Sequence, residues 1–324
     1  MRYAATEKLE IIRLVEGSHL PVRRTLARIG VPATTFYRWY DRYREHGPEG
    51  LEDRSPSRVW NRIPDPVRER LVALALEAPE LSARELAVRF TDWEKYFVSE
   101  ASVYRLLKAH DLITSPAFVV VKAAEAFTEQ TTATNQLWQT DFTYLKVTGW
   151  GWFYLSTILD DYSRYIVAWK LCTSMRAGDV TDTLELALAA SGCDSARVVH
   201  KPRLLSDNGP SYVAGDLARW LEGKGIAHIH GAPNHPQTQG KIERWHQTLK
   251  NRVLLQNYFL PGQLEAAVAA FVEHYNHHRY HESLGNLTPA DVYLGRGQAI
   301  LAERLKIKKL TIRNRRLSHY GQAA

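Results

Sequence analysis

The stretch "LWQTDFTYLKVTGWGWFYLSTILDDYSRYIVAWKLC", residues 137–172, is where the chain changes character. Upstream, apolar residues recur at helical spacing. Within it, "LWQTDFTYLKV", "WFYLSTILDDYS" and "RYIVAWKLC" are rich in β-branched and aromatic residues, separated by short polar or glycine-containing breaks. Such residues fit a pleated, half-buried surface, and the short breaks leave room only for tight turns. The pattern predicts three successive strands in an antiparallel meander.

Downstream, helical and extended patterns alternate. "AGDVTDTLELALAASG" reads as a helix, "RLLSD" as a short buried strand, "AGDLARWLEGKG" as a helix and "IAHIHGA" as a strand. A polar loop and a helix, "HPQTQGKIERWHQTLK", residues 235–250, follow. Three antiparallel strands followed by α–β–α–β–α is the element order of a ribonuclease-H-like mixed sheet. The expected fold class is therefore α/β, with an all-α region ahead of that sheet.

The all-α region begins with three short helices. Leu9, Ile12 and Val15 share one face, Pro21 opens a second helix, and Gly30-Val31-Pro32 breaks the chain before "ATTFYRWYDRYR". A helix, a turn carrying glycine and a helix rich in Arg, Tyr and Thr is a helix-turn-helix pattern. Phe36, Tyr40 and Tyr43 are expected inward, with Thr34, Thr35, Arg38 and Arg42 outward, where such side chains reach phosphates and base edges. Residues 65–78 predict another helix, and Ser82-Ala83-Arg84-Glu85 is a capping box opening the next. After a break expected over Thr91–Val98, Ser99 caps "EASVYRLLKAHDL", which makes a second helix-turn-helix candidate. The expected layout is a DNA-binding region at 1–50, a linker at 51–64, a helical domain at 65–113 and a linker at 114–134. The mixed-sheet domain, at 135–295, and a basic tail at 296–324 complete it.

Composition narrows the class. With 324 residues, 45% of them hydrophobic and 24% charged, the chain suits a soluble protein of several domains. No apolar run approaches the roughly 20 residues that span a bilayer, so no membrane partner is expected. Two cysteines, Cys172 and Cys193, cannot make a disulfide framework or a cysteine-based zinc site, and they suit a reducing, cytoplasmic setting. The net charge of +7 is unevenly placed: residues 1–62 carry +4, residues 296–324 carry +7 and the middle about −4. Basic ends around a mildly acidic centre suit nucleic-acid contact by the ends and metal or catalytic chemistry between them.

Three acids in that centre occupy telling places. Asp141 lies inside the first strand, Asp207 ends the fourth, and Glu243 lies one turn inside a helix. On that helix Ile242, Trp245, Leu249 and Val253 form an apolar stripe, while Gln239, Glu243, Gln247 and Lys250 line another face. Glu243 is a lone carboxylate among basic and amide side chains, Arg244 included, that suit a polyanion. Carboxylates from strand ends and an adjoining helix can converge on a divalent cation, and two such ions about 3.5–4 Å apart serve phosphoryl transfer. No phosphate-binding glycine loop is present, so a nucleotide cofactor is not expected.

"WQTDFTYL", "LSDNGPSY" and "HPQTQGKIERWHQTLK" together resemble the catalytic core of the DDE transposase and retroviral integrase superfamily, particularly bacterial insertion-sequence transposases. Asp207 and Glu243 are separated by 35 residues, the D,D(35)E spacing. "YNHHRYHESLGNLTPADVY" is similar to a common ending of the family, and the resemblance covers residues 135–295. It implies that Asp141, Asp207 and Glu243 ligate two Mg²⁺ or Mn²⁺ ions. It also implies that Gln239, Gly240, Lys241 and Lys250 lie along bound DNA ends, with Asn208 close to the metals. The implied activity is 3′-end cleavage and strand transfer by a homo-oligomer acting on terminal repeats and target DNA, in a bacterial, nucleoid-associated setting. The zinc-binding N-terminal domain of retroviral integrases has no counterpart, because residues before 135 contain no cysteine. The alternative is a DNA-binding regulator that keeps the core only as scaffold.

Two rival signals remain. Asp160-Asp161 falls where one strand turns into the next and suits a turn or salt-bridge role, with Asp161 at most beside the site. His274/His278 and His277/His281 have zinc-compatible spacing, but no convergent cysteine is present and Arg279 would set a positive charge beside the metal.

Overall fold

The computed structural model describes residues 5–52, 60–113, 131–194, 200–231 and 239–321. The chain divides into two compact units, one of residues 1–62 with 314–324 and one of residues 63–313.

In the first unit, helices α1 (Ala5–Glu16), α2 (Val22–Ile29) and α3 (Ala33–His46) enclose Ile12, Val15, Leu26, Phe36 and Trp39. The inward residues of α3 are Phe36 and Trp39, three apart, while Tyr40 and Tyr43 are only half-buried. The expected stripe is thus rotated toward the indole, which buries more apolar surface. Thr34, Arg38 and Arg42 are exposed and Thr35 is half-buried. Past residue 50 the chain is not yet a linker. Gly47–Leu51 forms a 3₁₀ turn that seats Leu51 in the core, and the Leu51 carbonyl accepts a hydrogen bond from the buried Lys8 ammonium at 3.0 Å. Only glycine fits at Gly50, where a Cβ would stand 2.4 Å from the Arg42 carbonyl oxygen.

The second unit opens with α4 (Asp65–Glu77), α5 (Ala83–Glu94) and α6 (Glu100–Ala109), closed around Leu71, Leu74, Leu86, Phe90, Val103 and Leu106. Ser82 and Glu85 form the capping box, and Ser99 caps α6 through the Ser102 amide. The break expected at Thr91 is displaced: α5 continues to Glu94, and buried Thr91 bonds the Ala87 carbonyl at 2.8 Å within the helix. Lys95, at φ 53°, ends it.

The sheet consists of β1 (Leu137–Val147), β2 (Gly151–Asp160), β3 (Ile166–Cys172), β4 (Arg203–Ser206) and β5 (His228–His230), in the order β3-β2-β1-β4-β5. β1, β2 and β3 are the antiparallel meander, and β4 joins β1 in parallel through Leu137–Gln139 only. Helices α7 (Ala177–Ser191) and α8 (Gly215–Lys224) cover one face over Trp138, Ile158, Leu184 and Leu217. Helices α9 (Gly240–Val253) and α10 (Pro261–His277) cover the other over Leu145, Leu155, Trp245, Leu249 and Phe271. Period-2 alternation in β1 sorts its residues between the two layers: Gln139, Leu145 and Val147 turn toward α9, Trp138 and Phe142 toward α7 and α8. A parallel strand with both faces covered favours apolar residues on both, as at the fully buried Leu204-Leu205 of β4.

Within the ending motif, Asn276 acts as a side-chain extension of the sheet. Its Oδ1 accepts from the Ile166 amide at 2.9 Å and its Nδ2 donates to the Ile166 carbonyl at 3.1 Å, all buried. Asn276→Ala strips both partners from β3, and two orphaned backbone groups cost about 2–4 kcal/mol. Urea unfolding monitored by circular dichroism should show that loss, with the denaturant slope unchanged.

The expected basic tail is a helix from close to its start. After α11 (Pro289–Tyr293), helix α12 runs Gly297–Gly321. Within the second unit, the Arg304 guanidinium forks onto Asp92 at 2.6 and 2.7 Å, and the Thr311 hydroxyl accepts from the Phe97 amide at 3.0 Å. One charge of the expected basic tail, that of Arg304, is thus neutralised and packed. No helix among the described residues is long and apolar enough to cross a membrane.

Candidate active site

Asp141 sits in β1, its side chain 23% exposed. Its Oδ1 accepts the Phe142 amide at 2.8 Å, and Oδ2 lies 3.4 Å from Nδ1 of His246. Asp207 follows β4 directly, and its Oδ1 accepts the Gly209 amide at 2.9 Å, which turns the chain sharply away from the strand end. A Cβ at Gly209 would meet that oxygen at 3.0 Å, so the turn packs closely against the carboxylate. Asn208 is tied by its Nδ2 to the Gly231 carbonyl at 3.0 Å. Glu243 lies in the first turn of α9 and is exposed, off the stripe of Ile242, Trp245, Leu249 and Val253.

Electrostatics couple Asp141 to Glu243, and both Asp141 and Asp207 to Tyr212. Burial raises the Glu243 carboxyl above its ordinary value, the Asp141 charge raises it further, and His246 opposes both. Burial, chiefly, holds the Tyr212 phenol well above its ordinary range. Its contact with the Thr140 hydroxyl opposes this, while the charges of Asp141 and Asp207 add to the rise. Asp141 is thus felt by Glu243 and Asp207 by Tyr212, beside the same strand. Among the described residues, no three His, Cys, Asp or Glu side chains already stand close enough to enclose a metal ion. The donor set nevertheless suits a hard divalent cation: three oxygen ligands, one of them half-buried, whose mutual repulsion a cation would relieve.

Several residues absent from the sequence expectations hold this arrangement. Gln139 is buried and links three elements: Nε2 donates to Asp161 Oδ1 at 2.8 Å, and Oε1 accepts the Ile242 amide at 3.2 Å. That second bond satisfies a donor in the first turn of α9, next to Glu243. His246 is buried one turn beyond Glu243, and its Nε2 meets no hydrogen-bond partner among the described residues. Its spacing of three from Glu243 on a helix was the available signal.

The residues expected on DNA divide. Lys241 is turned inward: its ammonium stands 2.7 Å from Asp161 Oδ2 and 3.1 Å from the Asp161 carbonyl. Gln239 is 7% exposed, and its Nε2 has no partner among the described residues. Arg244 is exposed, Gly240 and Lys250 are half-exposed, and Lys250 stands 4.2 Å from the centre of the Tyr144 ring. Most of the loop before Gln239 lies outside the described residues. Asp160 takes the turn role, accepting the amides of Asn135 at 2.7 Å and Ser163 at 2.9 Å and the Ser163 hydroxyl at 2.6 Å. In the histidine group, His281 packs against Tyr275 at 5.0 Å and His277 against Tyr165 at 6.2 Å, apart from any shared centre.

Residues 131–236 and 224–289 match family models described as integrase core domain. Residues 7–58 match a helix-turn-helix domain, and residues 35–107 a homeodomain-like domain. The transposase for insertion sequence element IS629 of Shigella sonnei is 32% identical over 158 residues, 48% of this chain and 51% of that protein. Transposase InsF for insertion sequence IS3A of Escherichia coli K12 is 28% identical over 157 residues, 48% of this chain and 52% of that protein. The chain spans about half the length of the curated relatives it matches. Among solved structures, the HTLV-2 integrase catalytic core in complex with magnesium superposes with TM-score 0.41 at 19% identity, covering 51% of this chain and 99% of that one. The BIV integrase catalytic core gives TM-score 0.38 at 24% identity, over 51% of this chain and 97% of that one.

Proposed function

We propose that this chain, which carries an integrase core domain behind helix-turn-helix domains and is homologous to insertion-sequence transposases, is itself a transposase. Its reaction is cleavage at the 3′ end of an element, followed by transfer of that end into target DNA. The observation that supports this reading is that Asp141 lies in β1, Asp207 directly after the neighbouring strand β4, and Glu243 in the first turn of α9, the helix that bonds to Gln139 of β1.

Asp141, Asp207 and Glu243 would hold a pair of Mg²⁺ or Mn²⁺ ions. Such ions, when bound, activate an attacking oxygen and stabilise a departing one. The chain's own residues prepare the site. The Phe142 amide and His246 fix the two oxygens of Asp141, the Gly209 amide fixes one oxygen of Asp207, and Gln139 fixes the start of the Glu243 helix. In the first step water opens a phosphodiester and frees a 3′-hydroxyl. In the second that hydroxyl oxygen attacks a target phosphorus, its proton passes to solvent, and the 3′-oxygen of the cut target strand departs. One phosphodiester replaces another, so no nucleotide is consumed. Thr34, Thr35, Arg38 and Arg42 of α3 would read the terminal repeats, and joining two ends requires an oligomer.

Duplexes carrying the element's terminal repeats, mixed with the purified chain and a supercoiled plasmid, test the proposal. Nicked 3′ ends and joined products are expected with Mg²⁺ or Mn²⁺ and should vanish in EDTA. Sequence-specific binding of the repeats without cleavage in either metal would favour a regulator instead.

A further inference from the structure

The outer half of the β1–β2 hairpin presents large rings to solvent where alternation would usually place polar residues. Leu145 and Val147 are fully buried beneath α9 and α10, while Tyr144 is 57% and Trp152 54% exposed. Register sets Trp152 opposite Lys146 and diagonal to Tyr144, on the same face. The two rings meet edge to face, centroids 5.5 Å apart at 81°. Lys146 stands 5.9 Å from the Trp152 ring and Lys250 4.2 Å from the Tyr144 ring. No acidic residue occurs between Asp141 and Asp160.

Two exposed rings bracketed by two ammonium groups, with no acid on the outer half of the hairpin, suit a ligand that combines flat apolar groups with negative charge. Unpaired nucleotides have that chemistry, since every base has a face to stack and every linkage a phosphate. Duplex DNA does not offer it, because its base faces are already stacked. The platform is held in advance of binding: the Thr148 amide donates to the Tyr258 carbonyl at 2.8 Å, and Gly149 and Gly151 take φ of 84° and 96° at the tip. Its position also relates it to the acids. Tyr144 lies three residues along β1 from Asp141, about 10 Å at the rise of a strand and on the opposite pleat. Lys250, from the helix that carries Glu243, reaches Tyr144 along the stretch of β1 that β4 leaves uncovered beyond Gln139.

We propose that Tyr144, Trp152, Lys146 and Lys250 form a stacking site for single-stranded DNA next to the acidic centre. This deepens the transposase reading and rests on it for the source of the strand, an unpaired end or flank at the cleavage point. The test needs no catalysis. The full chain in EDTA is titrated into a fluorescently labelled twelve-nucleotide oligothymidine and, separately, into a blunt duplex, with anisotropy as the readout. Tyr144→Ala with Trp152→Ala should weaken single-strand binding about tenfold or more and leave the duplex unchanged. Trp152→Phe should restore much of the loss, and Glu185→Gln, on the exposed face of α7, should bind as the native chain does. Equal binding of oligothymidine by the native and double-alanine chains would overturn the site, whatever the strand-transfer assay shows. A loss of self-association in sedimentation, with single-strand binding intact, would overturn it in favour of a contact between copies.

Discussion

Glu243→Gln is expected to leave the chain folded and able to bind DNA, yet to reduce strand joining by about a thousandfold or more. An amide keeps the shape of the side chain but removes the charge that a divalent cation needs, and a few kcal/mol of lost transition-state stabilisation corresponds to that factor. The environment of Glu243 makes the control unusually clean. Its carboxyl is raised by burial and by the Asp141 charge, so the folded state carries a repulsion that glutamine removes. Thermal unfolding should therefore be unchanged or slightly higher, whereas a side chain serving the fold would lower it. Glu185→Gln, on the exposed face of α7, supplies the neutral comparison. Joining by Glu243→Gln at near-native rate would remove Glu243 from the mechanism.

Lys241→Met is expected to destabilise the second unit by about 3–5 kcal/mol, because it leaves Asp161 in place without its cation. The Asp161 side chain is only 6% exposed and sits 2.7 Å from the ammonium. It keeps the hydrogen bonds from Gln139 at 2.8 Å and Thr131 at 2.7 Å, which do not neutralise it. Urea unfolding should show the loss, and the double variant Lys241→Met with Asp161→Asn should recover most of it, since removing both charges removes the unpaired one. A phosphate-binding lysine behaves otherwise. Its replacement would weaken DNA binding uniformly, lower the salt slope by about one and leave stability unchanged. That second outcome would return Lys241 to the DNA surface.

These two residues, two positions apart on one helix, mark how far pattern reading reaches. Helical period separated Glu243 from the stripe of Ile242, Trp245 and Leu249, and the structure keeps them apart. Period alone could not separate Lys241 from a surface cation, because its partner Asp161 is 80 positions away. Trp39 shows the same limit in the first unit. Tyr40 and Tyr43 suit an inward face by composition, but which ring enters depends on the space left by Ile12, Val15 and Leu51. Thr91 broke the helical pattern in sequence, yet bonding to the Ala87 carbonyl let α5 absorb it.

The amino-acid sequence by itself determined the strand meander, the order of helices and strands that follows it, and the elements to which Asp141, Asp207 and Glu243 belong. Those features rest on local alternation, on turn residues and on spacing along one chain, all of which are present before any packing occurs. Only the tertiary structure decided which polar side chains support the acids. Gln139, His246, Tyr212 and Lys241 take their roles from neighbours far away in the chain and from burial, which makes each missing partner costly. It also showed that Tyr144 and Trp152 lie in the open, on the face of the outer hairpin opposite the one that α9 and α10 bury.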